Sequence, residues 1–224
     1  MRIALLGYRS QPHGGGQGVY MRYLSKALVD AGHSVDVISG PPYPHLDPRV
    51  RLIQLPSMDL FVNGLGSLRL HHLKSMSNII EWTSQLTGGF AEPLTFGRRA
   101  VKYLRRYGHN YDLIHDNQSL SYGMLEIQKK VIKQLRNIVT VSDCSRQDIA
   151  RDFGLQPAGI SLAHNGIDID VFKPLPGVER NPLRLMATCS ADAPLKGLRY
   201  LLHAYARLLQ RYPDLELLLV SKPN

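Results

Sequence analysis

Short apolar runs alternate with stretches of helical periodicity along most of the chain. The run RIALLGY, residues 2–8, is continuous enough to predict a strand that is buried on both faces. Apolar residues then recur at helical spacing from Tyr20 to Ala31, and Gly32 follows as a helix-ending glycine. SVDVIS, residues 34–39, predicts a second strand. This order indicates a βαβ unit with a right-handed crossover.

The alternation continues after a less regular middle part. Residues 41–57 predict a third strand in VRLIQL between proline-containing loops, whereas residues 58–95 show weak periodicity. The later pattern predicts helix 97–107, strand 111–115, helix 119–136 and strand 137–142. A capping box of Ser145 and Asp148 predicts the start of the next helix, which ends near Gly154. A strand is predicted after it in ISLAHNG. LRLMATC, a helical stretch from Leu198 to Leu209, and LELLLV predict one more βαβ unit.

These elements predict the α/β class. We expect a Rossmann-like, doubly wound parallel sheet followed by the first βαβ unit of a second Rossmann-like domain. The first domain is predicted at residues 1–174, a linker containing proline and glycine at 175–182, and the beginning of the second domain at 183–224.

Composition and charge narrow the class of protein. A chain of 224 residues with 44% hydrophobic content can bury a core. The net charge of +9 is typical of a protein with an anionic partner, such as nucleic acid, anionic lipid or a phosphorylated substrate, although solubility alone also explains it. Cys144 and Cys189 lack metal-ligand spacing, so no metal site is expected. Without a long apolar run or a signal peptide, the expected location is cytoplasmic.

Four glycines stand among the five residues 14–18, directly after the first predicted strand. Such a turn lets the backbone approach a ligand, often a phosphate. The dinucleotide fingerprint fails, because the third glycine position counted from Gly16 is Met21 and no acidic residue ends the second strand. An NAD-type domain is therefore disfavoured. A phosphate, a sugar hydroxyl or no ligand at all remain open.

Four segments carry a resemblance to one known family. They are GGGQGVYMRYLSKALVDAGHSVDVIS, YDLIHDNQ, IVTVSDCSRQDIARDFG with ISLAHNGIDIDVFKP, and MATCSADAPLKGLRYLLHAYARLLQRYPDLELLLV. Together, in this order, they resemble glycosyltransferase family 4, whose members are retaining enzymes of the GT-B fold. The resemblance implies two Rossmann-like domains that face each other across a cleft, a nucleotide-sugar donor linked to UDP or GDP, and no metal or other cofactor.

The resemblance also implies a set of donor contacts. A metal-independent transferase must neutralise the leaving diphosphate with cations and helix N-termini. Lys196 is the residue expected on the diphosphate. The alternative is a solvated lysine of a first helical turn, which is slightly unfavourable against the helix dipole unless an anion lies nearby. The family commonly has an arginine where this chain has Ser190. Because serine carries no charge, this difference puts the expected pair of cations in doubt. The full set of implied donor contacts is Gly15, Gly16, Gly18, Ser190, Lys196 and Gly197.

Acceptor contacts are implied at Gln17, Asp116 and Asn117. The last two residues follow a predicted parallel strand, at the edge where α/β sheets bind ligands. An ordinary polar turn that caps the next helix explains them equally well. By resemblance the acceptor is a saccharide, a lipid-linked sugar or a small molecule, and Asn165 with Gly166 shapes a turn.

No catalytic residue can be assigned from the sequence. The family carries an E-x7-E pair in its second domain, and this sequence contains no such pair. Family members usually have a strand with a conspicuous histidine between two segments that correspond here to YGMLEIQ and KKVIKQL. In this sequence the two segments join directly, at Gln128 and Lys129. Residues are therefore either deleted or omitted at that point. As written, the polypeptide is expected to be inactive alone.

A cationic helix face suggests peripheral membrane binding. Arg98, Lys102, Arg105 and Arg106 fall on one side of the predicted helix, and several family members dock on anionic membranes through such a surface. The protein is therefore expected on the inner face of the membrane at times, although charged runs are more often merely solvated.

Two alternative functions belong to different classes. RQDIARDFGLQPAGIS resembles a helix-turn-helix of DNA-binding proteins, but its second helix would contain proline and glycine, so nucleic-acid binding is disfavoured. The other alternative is a non-catalytic sugar- or protein-binding module of the same fold. The oligomeric state is not indicated.

Overall fold

The computed structural model describes residues 1–12, 16–117, 132–188 and 197–220. The chain divides into two compact units, Met1–Arg136 and Asn137–Asn224. The first unit contains strands β1 (Arg2–Gly7), β2 (Ser34–Ser39), β3 (Arg51–Gln54) and β4 (Leu113–Asp116), and helices α1 (Gly16–Asp30), α2 (Leu60–Asn63), α3 (Met76–Leu86) and α4 (Glu92–Tyr107). 3₁₀ turns lie at Leu65–Ser67, Leu70–Lys74 and Gly108–Asn110.

The sheet of the first unit is parallel throughout. Its strand order is β3-β2-β1-β4, so β1 lies in the middle between two neighbours. In the register, Leu5 lies opposite Val37 on one side and His115 on the other. The apolar runs of β1 and β2 are buried almost completely, as the sequence predicted for central parallel strands.

Helices cover both faces of this sheet. On one face, Met21 of α1 packs with Ile3, Leu5, Val35, Val37 and Val50. On the other face, Phe96 and Ala100 of α4 pack with Ala4, Leu6 and Ile38. Because successive strand residues point to opposite faces, β1 contributes to both cores. The predicted α/β class is confirmed.

Helix α1 ends as the sequence predicted. Gly32 has a φ of +85°, a conformation that suits glycine. Its N–H donates to the carbonyl of Val29, and the N–H of His33 donates to that of Leu28. These two bonds form a Schellman motif, which satisfies carbonyls at the helix end.

The middle of the chain, residues 58–95, contains helical structure that its weak periodicity did not predict. Short helical pieces precede α3, and 3₁₀ turns do not repeat every 3.6 residues. Helix α4 begins at Glu92, five residues before the predicted start, because Pro93 lies in the first turn, where a missing N–H breaks no helical hydrogen bond.

Within residues 137–188 and 197–220, the second unit holds two separate two-stranded parallel sheets. Strand β5 (Ile138–Thr140) pairs with β6 (Ile160–Leu162), and β7 (Arg184–Thr188) pairs with β8 (Glu216–Val220). Its helices are α5 (Asp143–Phe153) and α6 (Leu198–Leu209). The predicted βαβ unit near the C-terminal end is thus present. The domain boundary predicted at residues 175–182 stays a prediction.

The structure corrects the predicted start of α5. The N-cap is Ser142, whose hydroxyl accepts from the N–H of Ser145, so Ser145 lies inside the helix and does not open a capping box. Gly154 ends the helix in the left-handed region, as predicted. A 3₁₀ turn at Pro157–Gly159 and strand β6 occupy the place of a recognition helix. The strand predicted in ISLAHNG is therefore confirmed, and the helix-turn-helix alternative, which the sequence already disfavoured, is excluded.

The predicted helix over 119–136 lies mostly outside the described residues. Its last residues form a turn, in which the N–H of Leu135 donates to the carbonyl of Ile132.

Candidate functional site

The loops that follow β1 and β2 are bound to each other at the carboxyl edge of the sheet. The N–H of Gly40 donates to the carbonyl of Gly7 over 3.1 Å, and the N–H of Ser10 donates to the carbonyl of Pro42 over 3.1 Å. The buried hydroxyl of Ser39 lies 3.1 Å from that of Ser10. This edge is therefore a fixed platform of backbone and small polar groups.

Two glycines allow this platform to form. A Cβ added to Gly40 would lie 2.4 Å from the carbonyl oxygen of Tyr8, and one added to Gly18 would lie 2.0 Å from that of Gln11. Real Cβ atoms do not approach so closely, so any side chain at either position would displace the backbone. The two glycines hold the start of α1 and the end of β2 against the loop after β1.

Gly16 differs from Gly18 in its surroundings. It is the first residue of α1, it is exposed, and a Cβ there would meet nothing within 4 Å. A helix N-terminus presents unpaired N–H groups and a positive dipole end, which suit an anion. Gly15 lies outside the described residues, and Gln17 is partly buried in the first turn of the helix. The donor and acceptor roles predicted for these residues stay predictions.

Asp116 and Asn117 lie at the same edge of the sheet. Asp116 is the last residue of β4, opposite Leu6, and the N–H of Asn117 donates to the carbonyl of Leu6 over 3.0 Å. Solvent reaches the Asp116 carboxyl, yet the dense protein around it desolvates the charge and raises its pKa to about 6. Desolvation likewise lowers the pKa of the neighbouring His115. The strand thus ends in two groups that both favour their neutral form more than free side chains do.

The sequence analysis missed a buried charge cluster beside this edge. Arg9, two residues after β1, donates to Asp59 and to Glu92, each over 3.2 Å. Burial raises the pKa of both carboxyls, and the Arg9 charge opposes that shift. Since the three residues are distant in sequence, no local pattern could reveal the cluster. It ties the loop after β1 to the starts of α2 and α4.

A second ion pair fastens α3 to α4. Arg99 donates to Glu81 over 2.6 Å and to the side-chain oxygen of Asn78 over 2.7 Å. Glu81 is nearly inaccessible and also accepts from the Thr95 hydroxyl and the N–H of Met58. This carboxylate is therefore fully engaged as a structural group.

The predicted membrane-contact residues lie on the outer side of α4. Arg98, Lys102, Arg105 and Arg106 are all exposed, and α4 points its buried side, Phe96 and Ala100, at the sheet. The structure therefore brings the four cations together on one helix. Whether they bind lipid remains a prediction.

In the second unit, Gly197 has a φ of +75° directly before α6. Ser190 and Lys196, the other two donor residues predicted there, lie outside the described residues. Among the residues that the structure describes, no group of three or more His, Cys, Asp or Glu side chains could hold a metal ion. Within the same residues, no helix is long and apolar enough to span a membrane.

A groove of about 460 Å³ lies at the opposite, amino-terminal edge of the sheet. Inside it Arg51 is paired with Asp36, which also accepts from the Tyr111 hydroxyl over 2.6 Å. Burial, with the hydrogen bond to Asp36, raises the Tyr111 pKa. These groups are hydrogen-bonded to one another. Because the groove lies at the amino-terminal edge of the sheet, it is separate from the candidate site at the carboxyl edge.

A parallel sheet with helices on both faces defines an α/β protein of the doubly wound type. In such proteins ligands bind at the carboxyl edge of the sheet, where this chain gathers polar groups and a helix N-terminus. Residues 14–129, just over half of the chain, match the model of the family described as Glycosyltransferase Family 4. The chain belongs to this family.

Individual relatives agree with this assignment. An MMP alpha-(1->4)-mannosyltransferase of Mycolicibacterium hassiacum is 38% identical over 271 residues, which cover 100% of this chain and 66% of that protein. A D-inositol 3-phosphate glycosyltransferase of Kribbella flavida is 23% identical, with coverage of 96% and 59%. A phosphatidyl-myo-inositol mannosyltransferase of Mycolicibacterium smegmatis is 24% identical, with coverage of 99% and 59%. The chain thus spans less than two thirds of the length of these relatives.

Solved structures support the fold. WaaG, a glycosyltransferase involved in lipopolysaccharide biosynthesis, superposes with a TM-score of 0.61 at 16% identity, covering 99% of this chain and 64% of that one. A glycosyltransferase from Rickettsia africae ESF-5 gives a TM-score of 0.52 at 13% identity, with coverage of 100% and 68%. The fold is that of GT-B glycosyltransferases, as the sequence resemblance implied.

The alignment with the Mycolicibacterium hassiacum protein also bears on the predicted interruption. It runs over 271 residues, 47 more than the 224 residues of this chain. That relative therefore carries residues that have no counterpart here. The junction of Gln128 and Lys129 lies outside the described residues, so the position of the difference stays a prediction.

Proposed function

We propose that this chain is the acceptor-side part, with the beginning of the donor-side part, of a retaining glycosyltransferase that takes a sugar from a nucleotide-sugar donor. The sugar is mannose, in line with the names of the mannosyltransferase relatives. The observation that carries the proposal is the carboxyl edge of the first sheet, where the exposed Gly16 terminus of α1 adjoins a fixed polar platform.

The proposed chemistry needs no metal. The leaving nucleoside diphosphate carries negative charge, which the N–H groups at the start of α1 and the ammonium of Lys196 would neutralise. Gly16 leaves room for an anion at the first turn, because nothing lies within 4 Å of its missing side chain. Gly15, Gly18, Ser190 and Gly197 complete the proposed donor contacts.

Asp116, Asn117 and Gln17 are the proposed acceptor contacts. With a pKa of about 6, the Asp116 carboxyl is largely ionised at neutral pH and can accept hydrogen bonds from sugar hydroxyls. The acceptor is a saccharide or a lipid-linked sugar. We also propose that the cations of α4 bring the protein to an anionic membrane surface, on the cytoplasmic side.

Titration calorimetry with GDP, UDP and their sugars tests the donor proposal. One nucleotide should bind to the chain, and Lys196→Gln should weaken that binding by about tenfold or more, since a charge-assisted contact is lost. Lys173→Gln is the matched control, because Lys173 is an exposed lysine of the second unit. Absence of nucleotide binding together with measurable binding of a mannoside would favour the non-catalytic sugar-binding module.

A further inference from the structure

Phe90 presents an aromatic ring to solvent immediately before α4. The residue is 45% exposed. An exposed phenylalanine by itself indicates nothing, because apolar side chains are common on protein surfaces. What distinguishes Phe90 is the support behind its ring and the polar groups that lie beside it.

The loop after β1 supports the Phe90 ring. The ring of Tyr8 meets it edge to face, with centroids 6.1 Å apart and an interplanar angle of 72°. Tyr8 is itself partly buried against the core on the α4 side of the sheet. One residue after Tyr8, Arg9 donates to Glu92, which lies two residues after Phe90. Two neighbouring contacts therefore fix the approach to α4 against the loop after β1.

The turn that precedes Phe90 is also fixed. Gly88 has a φ of +73°, and its N–H donates to the carbonyl of Gln85 over 3.1 Å. The N–H of Gly89 donates to the carbonyl of Ser84 over 2.7 Å. These two bonds form a Schellman motif at the end of α3. Because the chain is held on both sides of Phe90, a ligand that stacks on the ring does not have to order this segment first.

Hydrogen-bonding side chains lie next to the ring. Arg9 bridges Asp59 and Glu92, whose side chains keep a small exposed part, 12% and 11%. A carboxylate has about four acceptor positions, and Arg9 contacts one oxygen of each carboxyl group. Ligand sites combine an apolar or aromatic surface with a few polar groups that set the orientation of the ligand. The surroundings of Phe90 supply both.

A pyranose ring is the class of ligand that fits this combination. The C–H groups on one face of such a sugar can lie flat on an aromatic ring, while its hydroxyl groups project from the rim and donate to carboxylate oxygens. A phosphate fits poorly, because Asp59 and Glu92 share one guanidinium and the cluster carries one more negative than positive charge when both are ionised. An acyl chain would leave the acceptor positions unused.

Phe90 lies at the edge of the sheet where the acceptor contacts are proposed. Tyr8 follows Leu6 by two residues, so their Cα atoms are at most about 7 Å apart. Leu6 lies opposite Asp116 in the register, and its carbonyl accepts from the N–H of Asn117. The ring and the proposed acceptor contacts therefore belong to the same edge of the first unit.

We propose that Phe90 is a stacking platform for a pyranose ring of the acceptor, so that the acceptor presents a neutral saccharide to this edge. This inference rests on the proposed function and deepens it, because it names the group that the acceptor presents and adds a residue that determines specificity. Stacking on Phe90 does not involve the donor. Binding of a nucleotide and binding of a mannoside are therefore measured separately and can fail separately.

Saturation-transfer NMR with methyl α-D-mannopyranoside tests the stacking. On the unmodified chain, saturation of the aromatic protons should reach the C–H protons of the sugar ring. Phe90→Ala should weaken mannoside binding by about fivefold to tenfold, because the flat apolar contact is lost. Phe90→Trp keeps an aromatic face and should bind at least as tightly as the parent, whereas Phe90→Leu should bind more weakly. The last two variants keep an apolar side chain against Tyr8, so the comparison does not depend on the stability of the alanine variant.

The matched control is Phe172→Ala, since Phe172 is 65% exposed and lies in the second unit. It should bind the mannoside as the parent does. Absence of mannoside binding to the parent would overturn the proposal, as would equal affinities of the parent and Phe90→Ala or equal losses in the two alanine variants. Displacement of the mannoside by an equal concentration of myo-inositol 1-phosphate would overturn the preference for a neutral sugar.

Calorimetry with GDP and UDP on the same variants separates this inference from the proposed function. Phe90→Ala should bind the nucleotide as the parent does. Weaker nucleotide binding with unchanged mannoside binding would assign the ring to the nucleobase and overturn the proposal. Mannoside binding that depends on Phe90, without nucleotide binding to any variant, would contradict the transferase and leave the stacking platform in place.

Discussion

Gly18 and Gly16 lie two residues apart in the first turn of α1, and we expect opposite results when each is changed to alanine. A Cβ at position 18 would lie 2.0 Å from the carbonyl oxygen of Gln11 and 2.6 Å from that of Ser10. At position 16 it would meet nothing within 4 Å. Both substitutions raise intrinsic helix propensity, so the pair separates packing from propensity.

The magnitude follows from the contact distances. Ordinary contact begins near 3.4 Å, so the backbone around Gln11 would have to retreat by roughly 1.4 Å to accept a methyl group at Gly18. Overpacking of a rigid site costs about 3 kcal/mol, and alanine in place of glycine in a helix returns about 1 kcal/mol. Gly18→Ala should therefore lose roughly 2 kcal/mol, whereas Gly16→Ala should gain between about 0 and 1 kcal/mol.

Urea unfolding followed by Trp82 emission measures this difference, because the single tryptophan lies in the first unit. A loss of roughly 2 kcal/mol corresponds to a decrease of about 4–8 °C in the midpoint of thermal unfolding. Calorimetry with the nucleotide that the parent binds adds a functional comparison. Gly16→Ala should weaken that binding without lowering stability, if the open space at Gly16 is where the anion lies.

Equal stability of Gly18→Ala and the parent would refute the close approach of α1 to the loop after β1. Loss of stability in Gly16→Ala would refute the open surroundings of that position. Unchanged nucleotide affinity in a stable Gly16→Ala would remove the reason for placing the donor at this helix terminus.

Two further predictions concern buried and partly desolvated carboxyls. Arg99→Met should destabilise the first unit by about 3–5 kcal/mol in urea unfolding, because the Glu81 carboxylate would keep its burial but lose its countercharge; a loss below about 1 kcal/mol would contradict the importance of the pair. Desolvation raises the pKa of Asp116 from 3.8 to about 6, so the folded state retains a proton that the unfolded state releases, and this group lowers stability as the pH rises between these values. Asp116→Asn should therefore show a smaller loss of unfolding free energy across that pH range, and parallel pH profiles of variant and parent would contradict the shift.

The sequence predicted best where structure is local. The apolar runs of β1 and β2 and the Schellman glycine Gly32 each depend on neighbouring residues alone, and the structure confirms all three. The N-cap of α5 was misplaced by three residues, because Ser142 and Ser145 are both suitable capping residues and only the backbone conformation distinguishes them.

The candidate site was predictable only in part. The alternation of strands and helices predicted Asp116 and Asn117 at the carboxyl end of a parallel strand. Their position beside the end of β1 became visible only in the structure, because it depends on the strand order. The pairing of Arg9 with Asp59 and Glu92 depends on contacts between residues 50 and 83 positions apart, which no local pattern encodes.

Strand β4 has a consequence for the behaviour of the purified chain. Among the described residues it forms a ladder only with β1, and its Leu113 and Ile114 are 43% and 45% exposed. The outward row of amide and carbonyl groups is a template on which a foreign strand can grow. Storage at high concentration should therefore favour slow strand-to-strand aggregation that begins at this margin, and a lysine introduced at Ile114 should delay it.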